Sequence, residues 1–222
     1  MKILSISDVV VPYIHSIQIA NLFEDIDLVI GCGDLPYAYQ EFIVSMLNVP
    51  LFYVHGNHDK VLRKYSGGKY SEPNGGTNLH DKVIRYHQIV MAGIEGSIRY
   101  KPEGRYQYTQ REMWQHVFRL VPGLFRNYML TGRYLDVFVT HAPPWGTHDK
   151  EDLPHQGIKA FAWFNKVFQP AYHFHGHIHV YRPGVEMVSK VDSTVIINTY
   201  GYRETTLEIQ PARIMPGRRS HS

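Results

Sequence analysis

The sequence predicts an α/β protein organised around a largely parallel sheet. Strand-like and helix-like segments alternate over the first 60 residues, β-rich pieces fill the last third, and successive strand-like runs end in the same kind of polar residue. Ile3–Ser7 reads as a first strand. Ile14–Phe23 reads as a helix, with Ile14, Ile17, Leu22 and Phe23 near helical spacing. Leu28–Ile30 is a short buried strand stopped by Gly31-Cys32-Gly33, Glu41–Leu47 a helix, and Leu51–Val54 a third strand. Ser66–Asn78 is rich in Gly, Pro, Ser and Asn and is expected to be a long loop. Lys82–Tyr86 and Gln88–Ala92 look like paired strands, followed by a polar, Gly-rich stretch from Glu95 to Tyr108. Thr109 and Glu112 fit a capping box opening a helix over Thr109–Leu120. Leu135–Thr140 is a strong strand, Gly157–Phe168 a helix and Ala171–Phe174 a further strand. Val185–Val188, Thr194–Ile197 and Thr205–Ile209 complete the β-rich end. No internal repeat or domain boundary is visible, so residues 1–210 are expected to form one domain and 211–222 a basic, flexible tail.

Composition excludes several classes. Hydrophobic residues make up 44% of the 222 and charged residues 19%, an ordinary globular balance that argues against disorder or a fibrous chain. The formal charge of +3 belongs to the tail, where Arg213, Arg218 and Arg219 stand without an acid; the rest holds 20 basic and 20 acidic residues. A neutral body speaks against nucleic acid as the partner, because phosphate-backbone binding needs clustered Lys and Arg. The single Cys32 excludes an intrachain disulfide. With no secretory leader and no run of about 18 apolar residues, the expected location is the cytoplasm, away from membranes.

The chemistry collects where strands end. The first strand runs into Asp8, the second into Gly33-Asp34, the third into Gly56-Asn57-His58-Asp59, the Leu135–Thr140 strand into His141, and Ala171–Phe174 towards Gly176-His177-Ile178-His179. In parallel sheets ligands sit beyond the carboxyl ends of the strands. Carboxylates, an amide oxygen and imidazoles converging there match the donors preferred by Zn²⁺, Mn²⁺ and Fe. Each piece alone is weak, since an Asp after a strand is commonly a turn residue. The ordered set of five is far more specific.

On these residues the sequence resembles the calcineurin-like metallophosphoesterases, over about residues 2–200. The resemblance implies a four-layer αββα sandwich, with two mixed sheets flanked by helices and a two-metal site at the strand ends. By the same resemblance Asp34 bridges the metals, Asn57, His141 and His177 complete one shell, and Asp8 and His179 bind the other ion. His58 contacts the phosphoryl group or protonates the leaving alkoxide, and Asp59 orients its ring. The implied cofactors are one or two divalent ions (Mn, Fe, Zn or Ni). The implied reaction is hydrolysis of a phosphate ester, a phosphodiester slightly before a monoester, by a metal-activated hydroxide. The substrate is then a small phosphorylated molecule, a nucleotide among the candidates.

One departure matters. The family's first motif is Asp-x-His, and here it reads Asp8-Val9-Val10. Valine binds no metal, so the Asp8/His179 position is expected to be weakened, with His15 a nearby substitute of low promise. Two rival readings follow: a degenerate member acting as a binding or scaffold protein, or a nuclease, the latter disfavoured by the neutral body. Candidate substrate contacts are Tyr37 and Tyr39 as an aromatic wall, Arg99 as a phosphate fork, and Asp149 and His155 on the loop after His141. For each, packing, capping or a surface role is the plainer alternative. The remaining histidines, among them His55, His80, His116, His173 and His175, acquire no role from position.

Overall fold

The computed structural model describes residues 1–63, 68–182 and 184–208. The basic tail and Ile209 lie outside the described residues. Fifteen strands and four α-helices are present among them: β1 (Lys2–Ser7), α1 (Ile19–Leu22), β2 (Leu28–Gly31), α2 (Tyr37–Leu47), β3 (Leu51–Tyr53), β4 (Leu62–Arg63), β5 (Lys69–Tyr70), β6 (Gly76–Asn78), β7 (Lys82–Tyr86), β8 (Ile89–Ile94), β9 (Ser97–Ile98), β10 (Gln107–Tyr108), α3 (Gln110–Thr131), β11 (Val137–Thr140), α4 (Lys159–Phe168), β12 (Tyr172–His175), β13 (Val188–Val191), β14 (Thr194–Asn198) and β15 (Gly201–Thr206).

Two mixed sheets carry the fold. The first has the order β15-β1-β2-β3-β6 and the second β13-β14-β12-β11-β8-β7. Only the edge strands β15, β13 and β7 run antiparallel to their neighbours, so the central strands of each sheet end together. Alternation along each strand sorts side chains to two faces. Ile3, Leu28, Ile30, Phe52 and Val54 meet Met91, Val137, Val139, Phe174 and Ile197 between the sheets. Leu4, Ile6, Val29 and Tyr53 point outward to Ile19, Tyr39 and Ile43 of α1 and α2. Phe138, Ala92 and Ile94 point outward on the other side to Val117, Leu120, Phe161 and Phe164 of α3 and α4. The result is the four-layer αββα sandwich.

Several elements differ from the sequence expectation. Only Ile19–Leu22 of the Ile14–Phe23 segment is helical. Ile17 is 77% exposed while Ile14 is buried, so the apolar residues do not share one buried stripe. The expected loop Ser66–Asn78 contains β5 and β6; β6 pairs parallel with β3, where Gly76 lets its backbone lie against the Tyr53 ring. Helix α2 begins four residues early, at Tyr37. Helix α3 opens with the expected Thr109–Glu112 capping box but continues past Leu120 through Pro122 to a left-handed Gly132, because Leu124, Asn127 and Thr131 extend its buried face. The last two shifts, of β13 to Val188–Val191 and β15 to Gly201–Thr206, follow from pairing with β14 and β1 rather than from local composition.

Candidate metal centre

The turns after the parallel strands are unusually tight. Asp8 (φ 66°), Asp34 (φ 58°) and His177 (φ 67°) all hold left-handed backbone, which costs a non-glycine residue of order 1 kcal/mol or more and persists only where surroundings enforce it. The enforcement is visible. The Asp8 N–H donates to Gly33 O (3.2 Å), its carboxylate accepts the His177 N–H (3.0 Å to each oxygen), and Asp34 Oδ1 accepts the His58 N–H (2.7 Å). Gly33 and Gly56 bring the loops after β2 and β3 into contact: a Cβ at Gly33 would lie 2.3 Å from Gly56 N, and one at Gly56 2.0 Å from Asp34 Oδ1.

Four donors converge there. His141 Nδ1 lies 2.7 Å from the Cys32 carbonyl and His177 Nε2 lies 2.7 Å from the Pro154 carbonyl. A carbonyl only accepts, so each of these nitrogens carries the proton and the opposite nitrogen turns its lone pair inward. His141 Nε2 then stands 2.9 Å from Asn57 Oδ1, 3.1 Å from His177 Nδ1 and 3.4 Å from Asp34 Oδ2. Donor atoms of Asp34, His141 and His177 all lie within 4.8 Å of one another. Burial alone would push His141 down, but the Asp34 carboxylate outweighs it and lifts the ring to about 9. Burial would raise Asp34, but His141 holds it down to about 2. Burial, helped by His141, pushes His177 down to about 3, leaving its nitrogen neutral. Without a metal the His141 ring therefore carries a second proton, on Nε2; a divalent ion would displace it, and the two imidazole nitrogens, the amide oxygen and the ionised carboxylate around one buried point would then fit that ion.

The second position is less complete. His179 Nε2 lies 3.6 Å from Asp8 Oδ1, and its ring is 39% exposed, leaning on Tyr181 and Tyr200. Val10 is exposed. His15 packs edge-on against Tyr39 and Phe42, away from any ligand role, because the Ile14–Phe23 turn carries it onto α2.

The model of the Calcineurin-like phosphoesterase family matches residues 1–181. The chain belongs to the calcineurin-like phosphoesterase family. Among solved structures, TT1561 of Thermus thermophilus is 16% identical, with 90% of this chain and 89% of that one covered at a TM-score of 0.61. Another solved chain, 14% identical, covers 91% and is itself covered over 93%, at a TM-score of 0.63. GAP50, the anchor in the inner membrane complex of Plasmodium, is 13% identical over 90% of this chain and 71% of that one, at a TM-score of 0.49. No curated protein matches. Among the described residues no helix is long and apolar enough to cross a membrane.

In this family member the residues around His58 depart from expectation. Asp59 does not orient the His58 ring: its Oδ2 accepts the Gly56 N–H (2.9 Å), and burial lifts its carboxyl to about 6. The ring's partner is Tyr100, whose hydroxyl lies 3.5 Å from His58 Nε2 and accepts from Asn57 Nδ2 at 3.1 Å. Sequence reasoning missed this role for Tyr100; nothing local sets it apart from 15 other tyrosines.

Of the substrate candidates, three are committed elsewhere. Tyr39 is 2% exposed, its hydroxyl accepting the Val11 N–H inside the outer core. Arg99 Nη2 donates to both carboxylate oxygens of Glu112 (3.0 and 3.1 Å), anchoring the first turn of α3. Asp149 ties its own loop, accepting from the N–H groups of Gly146 and Gly157. Two stay near the centre. The His155 ring, paired with Asp152, sits 5.4 Å from the His177 ring. Tyr37 donates its hydroxyl to Lys60 O and walls a cavity of about 300 Å³ beside Asp34, His58 and Leu62.

Six other histidines among the described residues have structural partners. His173, pushed down to about 3 by burial, bonds Thr140 and Asn165. His175 meets His148 at 2.8 Å, and His55 pairs with Glu95 and stacks on Tyr106. His80, Asp81 and His116 also cluster, but Arg119 occupies the Asp81 carboxylate at 2.7 Å, so that group is an ion-pair network and no cation site.

Proposed function

We propose that this chain is a metal-dependent phosphoesterase whose substrate is a small phosphate ester, a phosphodiester before a monoester and a nucleotide among the candidates. The reading rests on one observation: His141 and His177 each commit one ring nitrogen to a backbone carbonyl and aim the other, with Asn57 Oδ1 and the Asp34 carboxylate, at a single buried point. Asp34, Asn57, His141 and His177 would hold one divalent ion, manganese being the first to try, with Asp8 and His179 offering a weaker second position. A metal bound there supplies an activated water near neutral pH and offsets charge on the phosphoryl group.

The chain's own residues do the rest. Asp34 is positioned from both sides, by the His58 N–H and by the Gly56 backbone. Tyr100 holds the Asn57 amide so that its oxygen faces inward, and steadies the His58 ring at the mouth. His58, exposed and lining the cavity, is the group that carries a proton to the leaving oxygen. Leu35, Pro36, Tyr37 and Leu62 give an organic substituent an apolar wall, and Lys60 adds a positive charge; this lining favours a diester.

Hydrolysis of bis(4-nitrophenyl) phosphate in Mn²⁺, with metal analysis, tests the proposal. Wild type should turn over, His58→Ala should lose about 10²–10⁴-fold in kcat, and Asp34→Ala should lose metal. Wild type with neither metal nor turnover would overturn it. Val10, where the second position lacks a donor, favours the scaffold reading instead; that reading expects folding and metal content but no turnover.

A further inference from the structure

A groove of about 300 Å³ runs between edge strand β7 and helix α3, and none of its lining residues belongs to the metal centre. Three arginines line it, of which Arg85 and Arg126 are exposed. Arg85 projects from the outer face of β7, the face that also carries Val83 against the helix. Arg119 and Arg126 stand seven residues apart on α3, two turns along one helix face. Asp81 is the single acid in the lining, and it holds Arg119 at 2.7 Å. Arg85 and Arg126 make no ion pair among the described residues; the Arg85 charge also acts on Asp136, which lies outside the lining. The groove therefore carries an excess of two positive charges in a concave, partly apolar setting.

The floor is built for closeness. A Cβ at Gly123 would lie 2.9 Å from Val83 Cγ2, so glycine is what lets α3 lie this near β7. Glycine and proline are both unfavourable in a helix interior, and α3 carries them side by side at this point. Guanidinium forks match phosphate and carboxylate oxygens bidentately, and they repel one another when no anion lies between them.

We propose that this groove is a binding site for a small molecule carrying at least two negative charges, as phosphate or carboxylate. Arg85, Arg119 and Arg126 bind the charges, and the apolar side of the groove takes the organic part. The site is separate from the metal centre and does not depend on it.

Titration calorimetry with inorganic pyrophosphate and, in parallel, citrate tests the site, on wild type, Arg85→Gln, Arg126→Gln and Asp34→Asn. Wild type should bind at least one of the two with Kd below about 1 mM. Each arginine variant should weaken that binding about tenfold or more, while Asp34→Asn leaves it unchanged. Tighter pyrophosphate marks a phosphorylated ligand, and tighter citrate a carboxylate. Binding that survives in both arginine variants, disappears in Asp34→Asn, or is absent in wild type would overturn the proposal. None of these outcomes depends on turnover.

Discussion

A methyl group at Gly56 is a small change aimed at the most crowded point of the centre. Its Cβ would fall 2.0 Å from Asp34 Oδ1, 2.5 Å from Cγ and 2.6 Å from the Asp34 backbone nitrogen, where ordinary contact begins at 3.4 Å. A flexible side chain could swing aside, but the backbone nitrogen cannot, so the loops after β2 and β3 must part. The same Oδ1 accepts the His58 N–H, and that bond breaks as the carboxylate recedes. Overpacking of this kind costs about 1–3 kcal/mol, and displacing the support of a ligand costs about 10–100-fold in metal affinity. Urea unfolding in chelator and Mn²⁺ titration of wild type and Gly56→Ala measure the two effects separately. Equal stability with equal affinity would refute the assignment of Gly56 as the backing of Asp34. Lost stability with unchanged affinity would show that Asp34 is not a ligand.

Other substitutions probe the remaining links. Tyr100→Phe removes only the hydroxyl shared by Asn57 and His58, and should lower kcat about tenfold or more with KM little changed; an unaltered kcat would dismiss Tyr100 as a positioning residue. Val10→His should raise the metal bound per chain at limiting Mn²⁺, and a wild type that already holds two ions there would contradict the weakened second position. Burial holds His173 near 3, whereas its ordinary value is 6.5. Below pH 6.5 the unfolded chain therefore takes up this proton first, and stability falls by about 1.4 kcal/mol per pH unit towards pH 3. Urea unfolding at pH 7, 6 and 5 should show that slope reduced in His173→Gln; identical slopes would mean the ring titrates normally.

Much of the centre was legible in the chain. Asp8, Asp34, Asn57, His141 and His177 each follow a run of β-forming residues, and parallel strands end at one edge, so linear order alone brought them together. The capping box of α3 was legible for the same reason, since its bonds span three residues. What local pattern could not supply was partnership across the fold. Arg99 looked free until Glu112 on α3 took it, Tyr39 looked like a wall until it proved to lie beneath one, and β6 existed only because β3 offered an edge to pair with. Tyr100 was invisible because its two partners lie more than 40 residues away. The sequence by itself determined the alternation of strands and helices and the polar residues at the strand ends, because periodicity and strand-end chemistry are local properties; the layering was implied only by the family resemblance. Only the tertiary structure decided which donors face inward, because each ring is turned by a distant carbonyl, Cys32 for His141 and Pro154 for His177.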